Sequence, residues 1–230
     1  MVTVPDLVVA LDLPALADAR SLIALLRPVV SRFKVGLELF TAAGPAAVEA
    51  IRAAEAEVLL DLKFHDIPHT VAGAVRSAAR LGVGMLTLHL DAGEATARAA
   101  VEAAQETGAG LRLLGITRLT SHPAVATPPA AVVESARRAA SWGMHGVVAA
   151  VREAAGVRAA CPPGFLIICP GIRPAGADAG DQSRTATPAE AAAARCDLAV
   201  VGRPITRAPD PLSAARAVLA EMRAVAAGVS

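Results

Sequence analysis

Eight short runs of apolar, mostly β-branched residues alternate with Ala-rich stretches of helical spacing along the 230-residue chain, and this rhythm limits the fold more than any other feature. The strand candidates are Leu7 to Leu11, Phe33 to Leu37, Val58 to Leu62, Met85 to His89, Leu111 to Ile116, Gly146 to Ala149, Phe165 to Cys169 and Leu198 to Val201. Their near-continuous apolarity is that of parallel strands buried on both faces. Parallel strands need crossovers, and helix candidates fill each interval: Ala15 to Leu26, Pro45 to Ala54, Thr70 to Leu81, Ala95 to Glu106, Pro129 to Trp142, Val151 to Ala160, Pro188 to Arg195 and Pro211 to Ala226. Several open with proline, whose missing N–H costs nothing in a first turn, and Gly82 and Gly143 stand where helices should stop. An open doubly wound sheet shows the same alternation, but eight pairs without a linker or repeat favour an α/β chain folded as one (β/α)8 barrel of the TIM type, residues 1–230 forming a single catalytic domain.

Composition narrows the function classes. Hydrophobic residues at 54% against 19% charged supply a large core and no disorder signature. A net charge of +1 and only 2% aromatic residues leave neither a basic stripe nor a stacking platform, so nucleic acid is not an expected partner. The amino terminus lacks the pattern of an export signal and the apolar runs are strand-length, so a cytoplasmic location without a membrane span is expected. Three widely spaced cysteines, Cys161, Cys169 and Cys196, fit neither a disulfide framework nor a zinc motif and are read as reduced and mostly buried.

The polar residues collect at the C-terminal ends of the strands. Asp12 follows the first, Lys34 lies in the second, Asp61 and Lys63 close the third, and His89 closes the fourth. Thr120 and Ser121 follow the fifth, Arg173 the seventh, and Gly202-Arg203 the eighth. Barrel active sites are built at that end, so the distribution favours an enzyme. Asp61 and Lys63 are two apart, which puts both on one face of a strand. An isolated pair of this kind is equally well a structural ion pair capping the core. With Lys34 and Asp66 nearby, an alternating row of four charges is harder to explain as packing.

Asp61 to Thr70 reads Asp-Leu-Lys-Phe-His-Asp-Ile-Pro-His-Thr, and it resembles the Asp-x-Lys-x-x-Asp-Ile-Pro-x-Thr signature of orotidine 5'-phosphate decarboxylases at every fixed position. Phe33-Lys34-Val35-Gly36, Leu119-Thr120-Ser121, Pro170-Gly171-Ile172-Arg173, Asp181-Gln182 and Val201-Gly202-Arg203-Pro204-Ile205-Thr206 follow the family pattern in order along the chain. Two segments depart from it: His89-Leu90-Asp91-Ala92-Gly93, where the family has a small residue and a Gly-Gly pair, and Cys169, where threonine is common.

The resemblance implies cofactor-free loss of CO2 from orotidine 5'-phosphate, giving uridine 5'-phosphate in pyrimidine biosynthesis. The sequence carries no metal-ligand spacing and no dinucleotide fingerprint, in keeping with that. It implies Lys63 as cationic stabiliser and proton donor, with Asp61 and Asp66 favouring its charged form, and Lys34 and Asp12 on the ribose hydroxyls. Gly202 and Arg203 are implied for the phosphate, and Thr120 and Ser121 for the pyrimidine amide edge. Gln182 falls in a lid over 171–187, and Arg173 either binds phosphate or anchors that lid. Asp66, Ile67 and Thr70 are implied to reach the neighbouring site of a homodimer. His65 and His69 are read as exposed or supporting, His89 as a ligand contact or a hydrogen-bonded core histidine, His122 and His145 as surface residues, and Trp142 as packing. The nearest rival is a magnesium-dependent keto-gulonate phosphate decarboxylase or hexulose phosphate synthase, which shares Asp-x-Lys-x-x-Asp but lacks the Ile-Pro-x-Thr continuation. A silent nucleotide-binding barrel would have no need to keep Lys63.

Overall fold

In a computed structural model of the chain, which describes residues 4–118, 128–174 and 184–227, eight parallel strands close into a barrel in chain order. They are β1 (Asp6–Ala10), β2 (Arg32–Gly36), β3 (Glu57–Phe64), β4 (Met85–His89), β5 (Arg112–Ile116), β6 (Gly146–Val148), β7 (Leu166–Cys169) and β8 (Leu198–Val201). The ring closes where β1 pairs with β8, Val9 facing Val201. All eight expected strands are present, β4 and β8 with the expected bounds.

The crossovers are α1 (Leu16–Leu26), α2 (Leu37–Ala43), α3 (Pro45–Ala53), α4 (Pro68–Arg80), α5 (Glu94–Glu106), α6 (Pro129–Ser141), α7 (Val151–Ala160), α8 (Pro188–Ala193), α9 (Arg203–Thr206) and α10 (Pro211–Ala227). The short α2 and α9 were not expected, because neither is long enough to display a helical period. Gly82 and Gly143, at φ +74° and +87°, follow α4 and α6 as anticipated.

Two apolar clusters follow from period-2 alternation along the strands. A large one, including Leu7, Val9, Phe33, Val35, Val58 and Leu60, packs the strands against the helices. A small one, including Val8, Ala10, Leu59, Met85, Leu114 and Ile168, uses the alternate residues and fills the barrel. Among the described residues no helix is long and apolar enough to cross a membrane.

Two expectations are corrected. Cys169 and Cys196, read as reduced thiols, form a disulfide between the end of β7 and the turn before β8, Cα atoms 6.3 Å apart. Sequence spacing gave no hint of it because their proximity depends on the pairing of β7 with β8; Cys161 remains a free thiol. His145 is not a surface residue: it is half-buried, and its Nδ1 accepts the N–H of Leu113 at 3.1 Å. Burial and the nearby Arg112 guanidinium hold its pKa below the usual 6.5. The unusual segment after β4 forms a one-turn 3-10 helix, Leu90–Ala92, with Leu90 buried. A Cβ on Gly115 would lie 2.5 Å from Leu90 Cδ2, so the bare backbone of β5 makes room for this leucine. Trp142 packs as expected, under the Arg138 guanidinium at 5.7 Å.

Candidate active site

At the C-terminal mouth of the barrel is a cavity of about 450 Å³, floored by Ala10, Leu59, Ile168 and Val200 of the inner cluster. Above this apolar floor runs a row of alternating charges. Lys34 Nζ lies 2.8 Å from Asp12 Oδ1 and 3.5 Å from Asp61 Oδ2, and Lys63 Nζ lies 2.8 Å from the same Asp61 oxygen. The row therefore has four members, but Asp12 takes the place expected for Asp66. Strand register is the cause: Ala10 pairs with Lys34, and Gly36 with Asp61, which brings the ends of β1, β2 and β3 together. A Cβ on Gly36 would lie 2.7 Å from Asp12 Oδ1 and 2.8 Å from Lys34 Nζ, so the Asp12–Lys34 pair lies over a glycine because only a glycine leaves space for it.

Lys63 does not follow the regular strand that sequence spacing implied. Between Leu60 and Phe64 the pairing of β3 with β4 shifts register, and Lys63 adopts φ +52°, the left-handed region that costs a residue with a Cβ about 1–2 kcal/mol. Its side chain still meets Asp61, so the expected pairing holds on a bulge rather than a pleat.

The row is electrostatically self-consistent. Burial opposes the ionised form of Asp61, but Lys34, Lys63 and hydrogen bonds from Lys63 and Thr87 outweigh it and hold its pKa below the usual 3.8. Burial likewise opposes the Lys34 ammonium, and the Asp61 and Asp12 carboxylates outweigh that, holding its pKa above the usual 10.5. Both groups are charged across the neutral range.

Around the rim, Gly202, Arg203 and Arg173 line the cavity, with Arg173 buried. A Cβ on Gly202 would meet only ordinary contacts with Ala10 and Asp12, so the chain's own packing does not demand this glycine. Glu38, Thr87, Arg118 and Arg207 also line the cavity and were missed. The single polar residue inside Met85-Leu86-Thr87-Leu88 was the available signal for Thr87.

Asp66, Ile67 and Thr70 lie outside this cavity, exposed at the start of α4. Asp66 Oδ1 accepts the N–H of Ile67 at 2.7 Å, and the Ile67 side chain is 65% exposed. The rings of His65 and His89 stand 5.3 Å apart beside them. Thr120, Ser121 and Gln182 lie outside the described residues, as do His122 and the middle of the expected lid. Among the described residues no group of three or more His, Cys, Asp or Glu could hold a metal ion.

A closed (β/α)8 barrel with a row of Asp and Lys side chains around a cavity at its C-terminal mouth has the architecture of a barrel enzyme. The chain belongs to the orotidine 5'-phosphate decarboxylase / HUMPS family, which it matches over residues 5–218. It is 47% identical to an orotidine 5'-phosphate decarboxylase of Moorella thermoacetica, over 95% of this chain and 92% of that protein. An orotidine 5'-phosphate decarboxylase of Anaeromyxobacter sp. (strain K) is 51% identical, over 92% of this chain and 95% of its own length. The crystal structure of orotidine 5'-phosphate decarboxylase from Lactobacillus acidophilus superposes with a TM-score of 0.80 at 31% identity, covering 95% of this chain and 99% of that one.

Proposed function

We propose that the chain decarboxylates orotidine 5'-phosphate to uridine 5'-phosphate and CO2, in pyrimidine biosynthesis. The observation that carries this reading is the Lys63 ammonium, held 2.8 Å from a buried Asp61 at the mouth of the barrel. Breaking the bond between ring carbon six and its carboxylate releases CO2 and leaves an electron pair in the ring plane, where the π system cannot delocalise it. A preorganised cation can stabilise that pair, and an ammonium can then protonate it, so Lys63 gives its proton to carbon six and regains one from solvent. The reaction written this way needs no cofactor beyond the protein's own charges.

Asp61 faces the substrate carboxylate in this reading and fixes both lysines. Asp12 and Lys34 take the ribose hydroxyls. Gly202 and Arg203 take the phosphate, the open space at Gly202 letting an oxygen approach the backbone and the guanidinium fork matching the dianion. Arg173 adds charge beside them or anchors the segment after β7. Thr120 and Ser121 are assigned to the pyrimidine edge and Gln182 to the phosphate side. Remote phosphate binding then supplies energy for raising the rate.

Asp66, Ile67 and Thr70 are assigned to the neighbouring site of a homodimer. The exposure of Ile67 supports this, since a large apolar side chain next to a charged signature gains by burial against a partner.

The test is to mix the purified chain with orotidine 5'-phosphate and excess chelator and follow pyrimidine absorbance. Conversion to uridine 5'-phosphate is expected; no conversion, or conversion abolished by chelator, sinks the reading and in the second case favours a magnesium-dependent member of the family. For the dimer, inactive Lys63→Ala and Asp66→Ala chains are expected to regain part of the activity when mixed. No recovery despite demonstrated subunit exchange removes the composite site.

A further inference from the structure

We propose that Thr87, on β4, is a positioning residue that locks Asp61 and Lys63 into their working arrangement through a single buried hydroxyl. Its consequence for rate rests on the decarboxylase reading above; its consequence for Asp61 does not.

The Thr87 side chain is 1% exposed and lines the cavity. Its Oγ1 lies 2.9 Å from Asp61 Oδ1 and 3.0 Å from the backbone nitrogen of Lys63. The direction of each bond is fixed by the partners: an ionised carboxylate can only accept, and a backbone N–H can only donate. The hydroxyl therefore gives its one proton to Asp61 and receives that of Lys63. No apolar side chain can make either bond, and both would be lost together.

Each bond controls a different degree of freedom. The carboxylate of Asp61 has two oxygens, and both lysine ammonium groups lie on Oδ2, at 2.8 Å and 3.5 Å. Thr87 holds Oδ1. Without it the carboxylate could turn about its last torsion, carrying the Lys63 ammonium with it, since that ammonium is bonded to the turning oxygen. The second bond holds the N–H of Lys63 on the bulge, where φ is +52°, a left-handed conformation disfavoured for a residue with a Cβ. A strained residue persists only where its surroundings over-determine it, and Thr87 is the side chain that does so from the next strand. One hydroxyl thus sets the orientation of the Asp61 carboxylate and the backbone of Lys63. Hydrogen bonding to the ionised form also favours that form, so Thr87 contributes to holding Asp61 charged.

The experiment compares the full chain with Thr87→Val and Thr87→Ser. Two readouts are taken: steady-state kinetics with orotidine 5'-phosphate, and a 13C-carboxyl NMR titration of aspartate-labelled protein, with the Asp61 resonance identified by its loss in Asp61→Asn. In Thr87→Val the expected result is a fall in kcat of about 10- to 100-fold, with KM within about threefold, as misplacement of a reacting group by an ångström or less produces. The Asp61 midpoint is expected to move to higher pH. Thr87→Ser, which keeps the hydroxyl, is expected to stay near the parent in both. Should Thr87→Val not fold, Thr87→Ala removes the same hydroxyl with less apolar bulk at the site and carries the same readouts. An unmoved Asp61 midpoint in the hydroxyl-free variant overturns the proposal whatever the rate does, and so does a Thr87→Ser chain that loses as much as Thr87→Val. A parent chain that leaves orotidine 5'-phosphate intact removes the reaction assigned above, while the carboxyl titration still decides whether Thr87 holds Asp61.

Discussion

The barrel carries a row of alternating charges at each end, and the same three strands begin both. At the N-terminal end, Arg32 joins Asp6 at 2.6 Å and Glu57 at 2.7 Å, and Arg112 joins Glu57 from the other side. At the C-terminal end the row is Asp12, Lys34, Asp61 and Lys63. Glu57, Leu59 and Asp61 are alternate residues of β3, so one face of one strand contributes an acid to each row with the inner core between them. Even the spacing device recurs. A Cβ on Gly84 would lie 2.6 Å from Glu57 Oε1, much as one on Gly36 would intrude on the Asp12–Lys34 pair.

The cations differ. The lower row uses arginine, whose planar fork grips carboxylates and does not give up a proton in water; the upper row uses lysine, a point charge that can. Exposure differs in the same sense: Arg32 and Glu57 are 24% and 27% exposed, Lys34 and Asp61 only 11% and 13%. Backbone strain falls in the upper row alone, at Lys63. Similar charge patterns therefore stand at opposite ends: the lower row ties together the starts of four strands, and the upper row lines a cavity.

The sharpest way to break this contrast is to exchange the cation. Lys63→Arg keeps the charge but loses the transferable proton, and turnover is expected to fall by about 10³-fold or more while the melting temperature stays near the parent. A variant retaining a tenth of the activity would collapse the distinction. Next in size, Arg203→Ala is expected to cost about 10²-fold in kcat/KM, mainly through KM, as steady-state kinetics would show; an equal loss in kcat would move Arg203 into the chemistry. In the lower row, Glu57→Ala leaves two guanidinium groups without their shared acid. A loss of about 1–3 kcal/mol is expected, seen as a fall of several degrees in thermal melting, with kcat unchanged.

The smallest effect is in pH. The Asp61 pKa is depressed below 3.8, so its stabilisation is present above that pH and lost as pH falls through the folded value. The Lys34 pKa is raised above 10.5, so its stabilisation is present below that pH and lost as pH rises through the folded value. Melting temperature should thus show a broad plateau, and in Asp61→Asn a lower plateau with a shallower fall at its acid edge, since that variant has no Asp61 stabilisation left to lose; an acid edge as steep as the parent's would mean that Asp61 ionisation adds nothing to stability.

The barrel itself was readable because each strand and its following helix announce themselves locally, by β-branched runs and Ala-rich spacing. Asp61 and Lys63 were readable for the same reason, being two residues apart. What escaped depends on strand pairing. Asp12 replaced Asp66 as the fourth charge because Ala10 happens to pair with Lys34, a relation invisible along the chain. Thr87 looked like one hydroxyl in an apolar strand until β4 laid it against β3. The Cys169–Cys196 bond depends on the approach of β7 to the turn before β8, which residue spacing does not encode. The bulge at Lys63 had no signature at all, since a left-handed residue is normally advertised by glycine or asparagine.

Leu90 and Gly115 are a coupled pair. A Cβ at 115 would overlap the Leu90 side chain, so any larger residue there forces this buried leucine to shift. Substituting Gly115 alone should therefore destabilise the fold, whereas shrinking Leu90 in the same chain should relieve the conflict.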